Sequence, residues 1–169
     1  MNELTGDFSK YLTDEELAKV APMLERLKTL DDRNEKQDSF MSFVKYVWPQ
    51  FIEGRHHKIY AQKLQDVADG KLKRLIINMP PRHTKSEFAS YLFPTWLMGK
   101  RPDLKIIQAT HTAELAVGFG RKIKNLIESE DFKDVFPSVS LATDAKASGR
   151  WSTNGGGEYY AVGVGGALA

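Results

Sequence analysis

Apolar and polar residues change their spacing several times along this chain, and each change predicts an element. Thr13-Asp-Glu-Glu16 sets a capping hydroxyl three residues ahead of a glutamate. Leu17, Val20, Leu24, Leu27 and Leu30 follow at helical spacing, which predicts an amphipathic helix over roughly 14–30. The run DDRNEKQD, Asp31 to Asp38, has no apolar residue and reads as a solvated linker or an extension of that helix. Aromatic residues then cluster (Phe40, Phe43, Tyr46, Trp48, Phe51), predicting a buried helix that ends near Pro49. Ile59, Leu64 and Val67 mark a third helix, stopped at Gly70.

Beyond Gly70 the period shortens. KRLIINM, Lys73 to Met79, is a continuous apolar run of the kind that forms a strand buried in a parallel sheet. Lys85 to Met98 returns to helical spacing with Phe88, Tyr91, Leu92 and Trp96 inward and a kink expected at Pro94. KIIQAT, Lys105 to Thr110, predicts a second strand, and Thr112 caps a helix running over Leu115, Val117, Phe119, Ile123, Leu126 and Ile127. Strand, helix, strand, helix predicts an α/β fold around a parallel sheet. The stretch from Trp151 to Gly166 reads as a hairpin turning at Gly155–Gly157.

Composition narrows the class without naming a function. A chain of 169 residues, 41% hydrophobic and 11% aromatic, is the size of one domain with a real core. It has no cysteine, which excludes disulfides and thiolate metal sites. No apolar segment follows a basic start in MNELTGDFSKYL, so no signal peptide is expected. Nor does any run approach the ~18 apolar residues of a membrane span. A net charge of +2 neither demands nor excludes nucleic acid.

The candidate chemistry lies in NMPPRHTKSEF, Asn78 to Phe88. A phosphate cradle forms where a buried strand ends and a helix begins, because the helix start offers unpaired N–H groups and a positive dipole. Lys85 and Ser86 stand at that place. In the pattern G-x-x-x-x-G-K-[ST] the lysine reaches the terminal phosphates and the hydroxyl holds Mg²⁺. Aligned on Lys85-Ser86, the two glycine positions are held by Met79 and Thr84. Pro80 and Pro81 stiffen the strand exit, and Arg82, His83, Thr84 and Lys85 keep their N–H groups for a phosphate. Arg82 and Lys85 bring two cations. Thr84 is the weak position, because a β-branched residue is strained at positive φ. The bland alternative is a basic turn that caps a core helix.

Upstream, Arg55-His56-His57-Lys58-Ile59-Tyr60 precedes the strand by one short helix, where His57 or Tyr60 could stack on a base. Adjacent histidines are more often plain helix-start residues. As metal ligands they are poor, since neighbouring residues diverge around a helix. Neither His83 nor His111 has a nearby carboxylate pattern that suggests zinc.

The arrangement from His56 to Ile127, with PPRH-x-KS after an apolar strand, resembles the large terminase subunit of tailed bacteriophages. RWSTNGGGEYYAVGVGGALA is similar to the same family's next segment, and the resemblance covers roughly residues 40–169. It implies an ATP-driven motor that packs double-stranded DNA into a procapsid in the host cytoplasm. Implied too is a P-loop NTPase-type sheet flanked by helices, with residues 1–38 as an N-terminal helix and polar linker and 39–169 as a partial ATPase domain. On that likeness Lys85 binds the β- and γ-phosphates, Ser86 ligates Mg²⁺, and Arg82 contacts phosphate. Pro81, His83 and Thr84 complete the loop, and His57 and Tyr60 lie near the base. The cofactors are ATP and Mg²⁺. The implied partners are DNA, the portal, the small terminase subunit and a separate C-terminal terminase fragment, with no membrane.

Such ATPases also hold Mg²⁺ through an acidic strand end and orient the attacking water with a neighbouring base. The family places that strand shortly after a segment like VGVGG, and no such strand occurs before Ala169. Asp131, Asp134, Asp144 and Glu158 do not follow a four-residue apolar run. The nuclease carboxylates of the family are absent as well. The expectation is therefore an incomplete sheet and an ATP-binding part of the motor that is unable to hydrolyse ATP alone. Two alternatives stand beside it: a non-catalytic interaction fragment of a split terminase, and another P-loop enzyme such as a helicase or kinase. DNA contact would fall to Lys71, Lys73, Arg74, Lys100, Arg101, Lys105, Arg121, Lys122 and Lys124, although such residues usually just solvate helix ends and loops.

Overall fold

The computed structural model describes residues 13–143 and 147–164. It is a mixed α/β structure with six α-helices and one three-stranded sheet among the described residues: α1 (Asp14–Asp38), α2 (Phe40–Val47), α3 (Arg55–Ala68), α4 (Phe93–Lys100), β1 (Lys105–Thr110), α5 (Ala113–Glu128), α6 (Glu130–Val135), β2 (Arg150–Ser152) and β3 (Glu158–Gly163). A π-helical turn, Glu87–Leu92, leads directly into α4. The chain divides into two compact units, 1–34 and 35–169.

In the first unit the capping box forms as its sequence demands. Glu16 accepts from the Thr13 backbone N–H at 2.9 Å and the Thr13 hydroxyl at 2.8 Å, while the Thr13 hydroxyl oxygen receives the Glu16 N–H at 3.4 Å. These bonds hold the Glu16 carboxyl below its ordinary range. The polar run Asp31–Asp38 takes the helix-extension option and continues α1.

The second unit holds the core. Phe40 stands at its centre, 5.6 Å from Phe88 and 5.5 Å from each of Phe93 and Trp96, with the first two contacts edge-to-face. Ser39 caps α2 by accepting from the Ser42 N–H, and α2 ends at Val47, just before Pro49. The helix predicted over Lys85–Met98 is present, but its irregularity is the π turn that precedes Pro94. The proline has no N–H to continue the α-helical ladder, and the Phe93 N–H reaches back five residues to the Phe88 carbonyl. Helix α6 is an element the sequence pattern missed; Ser129 caps it and Phe132 and Val135 are its buried residues.

The sheet has the order β1-β3-β2, with β1 parallel to β3 and β2 antiparallel to it. It is mixed, not all parallel, because the predicted hairpin adds an antiparallel strand to one side. That hairpin is present: the Thr153 N–H bonds the Gly157 carbonyl at 2.9 Å around the turn. Its expected end at Gly165 and Gly166 lies outside the described residues, as does Asp144. Helix α5 packs on one sheet face. A Cβ at Gly120 would fall 2.7 Å from the Tyr159 ring, and Tyr159 stacks on Trp151 at 5.0 Å, so that glycine is a packing requirement.

The strand predicted over Lys73–Met79 is not formed. Residues 74–80 run without assigned secondary structure, and Leu75, Ile77 and Met79 turn toward the core while Ile76 is 87% exposed. Burial alternates as in a strand, but the segment carries no ladder partner among the described residues. Period two is a property of the segment; a strand also needs a neighbour to pair with.

Candidate functional site

Residues 80–86 connect this segment to the π turn. Pro81, Arg82, His83, Lys85 and Ser86 are exposed, and Thr84 is half-buried. Helical geometry begins at Lys85 and Ser86. Arg82 has φ +64° and Thr84 φ +60°, the positive-φ non-glycine residues among those described. His83 stands between them outside that region. Where left-handed and right-handed residues alternate, successive N–H groups turn toward one concave side, which is one way to build an anion cradle. Thr84 therefore adopts the left-handed conformation that a glycine would take at no steric cost, at roughly 1–2 kcal/mol of strain. Its hydroxyl donates to the His83 carbonyl at 2.7 Å.

Lys85 folds back toward the start of the loop, its Nζ 3.5 Å from the Met79 carbonyl. The Tyr60 hydroxyl donates to the Lys85 carbonyl at 2.9 Å. Its ring stacks on Phe88 at 5.5 Å, and burial pushes its ionisation up to about 12, with a backbone bond at Ala89 pulling the other way. Tyr60 is thus a neutral strut beneath the loop.

His57 is buried too, at 7% exposure. Its Nδ1 accepts the Gly54 N–H at 2.9 Å, which places the proton of the neutral ring on Nε2. Nε2 has no hydrogen-bond partner among the described residues and sits by Phe51 and Phe88, with ring centroids at 4.8 and 5.5 Å. Burial, and then the neighbouring His56 ring, hold its basicity below the ordinary imidazole value. Of the two upstream residues picked from sequence, Tyr60 bonds the start of the loop's helix and His57 is buried against Phe51 and Phe88, while His56 is exposed.

Glu87 was not singled out from the sequence. It follows Ser86 directly and pairs with Lys122 of α5 at 3.0 Å, which lies over the rings of Tyr91 and Phe119. The pair ties the loop's helix to α5 and lines a cleft of about 460 Å³ with Thr112, Leu115 and Gly118. Its signal was the carboxylate next to Lys-Ser, overlooked because an acid at a helix start is ordinary.

Donor chemistry at the loop fits a phosphate chain: backbone N–H groups, Arg82 and Lys85. No group of three or more His, Cys, Asp or Glu placed to hold a metal occurs among the described residues. Ser86 alone would leave Mg²⁺ dependent on phosphate oxygens and water, which suits an ion that keeps its hydration and arrives with a nucleotide.

Comparison with protein-family models, characterised proteins and solved structures gives no match.

Among the basic residues considered for DNA contact, Lys71 pairs with Asp69, Lys100 with Asp38, Lys105 with Glu158, and Lys122 with Glu87. Surface pairs of this kind are worth little in stability, and they reduce the positive field available to a polyanion. No helix among the described residues is long and apolar enough to cross a membrane.

Proposed function

We propose that residues 80–86 bind the phosphates of Mg-ATP, and that the chain is the nucleotide-cradling part of a DNA-packaging motor of the large-terminase type. The observation that carries the first half is the left-handed backbone at Arg82 and Thr84. Strain held at two non-glycine residues, at the mouth of a helix and beside a lysine, belongs to a loop whose shape serves a ligand. In this reading the N–H groups of Arg82 through Lys85 hold phosphate oxygens, Lys85 swings from the Met79 carbonyl to the terminal phosphates, and Arg82 adds a second cation. Ser86 contributes its hydroxyl to Mg²⁺, which neutralises phosphate charge. Tyr60 and Phe88 fix the helix start from below.

The motor assignment rests on the sequence resemblance, and with it come double-stranded DNA, the portal, the small terminase subunit and action at the procapsid in the host cytoplasm. A second reading, an interaction fragment completed by a separate polypeptide, is favoured by the exposed Ile76 and Ile107.

Calorimetric titration with a non-hydrolysable ATP analogue and Mg²⁺ tests the site. One-to-one binding that weakens at least a hundredfold in Lys85→Ala is the expected outcome. Equal binding by both proteins would remove the phosphate loop from the account.

A further inference from the structure

Helix α1 keeps an apolar stripe exposed. Leu17, Val20, Leu24 and Leu27 recur at alternating intervals of three and four, the spacing of a two-helix seam, and Met23 and Leu30 widen it on one side. None of the six is buried: Met23 is 67% exposed, Leu27 51% and Leu30 41%. Pro22 lies on the opposite side of the helix, so the hydrogen bond it omits is away from the seam. The stripe falls within the first compact unit and shares no residue with the phosphate loop.

The charges beside the stripe favour one occupant. On one flank, positions 14, 21 and 28 hold an acid, an alanine and a lysine. Two copies of α1 laid antiparallel bring Lys28 of each to the acidic first turn, residues 14–16, of the other, at both ends of the seam. In the same register Leu17 meets Leu27 and Val20 meets Leu24 of the second copy, with no charged residue in an apolar layer. The two helix dipoles then run in opposite directions, which is favourable as well. Two copies laid parallel would set acidic turn against acidic turn and leave Lys28 beside Met23.

We propose that the apolar stripe of α1 is a self-association surface, occupied by α1 of a second copy of this chain laid antiparallel about a two-fold axis. Such a contact is isologous and closes as a dimer, so every substitution in it counts twice. The inference goes beyond the nucleotide reading and stands without it.

Sedimentation equilibrium of the full chain should show a reversible monomer–dimer step that persists in Ile76→Lys. Leu24→Glu puts a carboxylate into two apolar layers and should weaken the dimer at least tenfold. Lys28→Glu, a change at the surface alone, should weaken it about threefold. Circular dichroism of both variants reads whether α1 remains helical. A monomer at every concentration would mean that the stripe has no second copy on it, and a dimer of equal strength in both variants would mean that the contact lies elsewhere; either overturns the proposal. Orientation is read by disulfides, since the chain has no cysteine of its own. Val20→Cys and Leu24→Cys proteins should form the mixed disulfide when combined under oxidising conditions and little disulfide when kept apart, because only antiparallel packing faces position 20 with position 24 closely enough for the bond. Self-disulfides in the separate solutions, with no mixed product, would mean parallel copies and would overturn it too.

Discussion

At the scale of single residues the decisive position is Thr84. The sequence poses a problem there, since a threonine sits where a left-handed backbone needs glycine, and the structure resolves it by accepting the strain. Thr84→Gly should release roughly 1–2 kcal/mol of left-handed strain, partly offset by the greater freedom of glycine in the unfolded chain. A net gain of about 1 kcal/mol is expected, read as a rise of about 2–4 °C in thermal unfolding, with phosphate affinity kept or improved. A lower melting temperature would mean that the threonine side chain holds the loop. That Lys85 and Ser86 stand at a helix start was legible in the sequence, because it follows from residue order and spacing. The places of His57, Tyr60 and His56 were not, because which of three neighbouring rings turns inward depends on the packing of α3 against Phe88.

At the scale of elements, hydrophobic spacing and caps predicted most of what forms. Thr112 caps α5 by accepting from the Leu115 N–H at 3.3 Å, and Thr13 opens α1, both as their patterns require. The failures have physical causes. Lys73–Met79 has strand composition and strand alternation but no ladder. Helix α6 has six residues, too few for a period to register. The π turn reflects a register adjustment ahead of Pro94 that no local pattern encodes. The loop's helix is held from outside by Tyr60, whose hydroxyl bonds the Lys85 carbonyl. Tyr60→Phe removes that bond and keeps the ring on Phe88. It should cost about 1 kcal/mol in denaturant unfolding and weaken phosphate binding severalfold, because the first turn loses its anchor. Unchanged phosphate affinity would show that the anchor and the cradle are independent.

At the scale of the whole molecule, one sheet face is covered by α5, and apolar side chains stay in water elsewhere. Ile76 and Ile107 are 87% and 64% exposed, the first on a strand-like segment with no ladder partner among the described residues. Unpaired extended backbone next to exposed isoleucine is a template for pairing with another chain. Concentration-dependent association in sedimentation is expected, and Ile76→Lys should reduce it at little cost to folding, since the side chain is already in water. A protein that sediments as a monomer over the same concentrations, with or without the substitution, would contradict this.

The cradle itself is tested most directly by the backbone amides that form it. In an amide NMR titration of the whole chain with tripolyphosphate and Mg²⁺, the N–H resonances of Arg82, His83, Thr84 and Lys85 should shift downfield together and saturate at one ligand per chain. The same titration of Lys85→Ala should leave them in place. Shifts confined to exposed lysines scattered over the surface, with these four amides unmoved, would mean that the loop is a basic turn and nothing more.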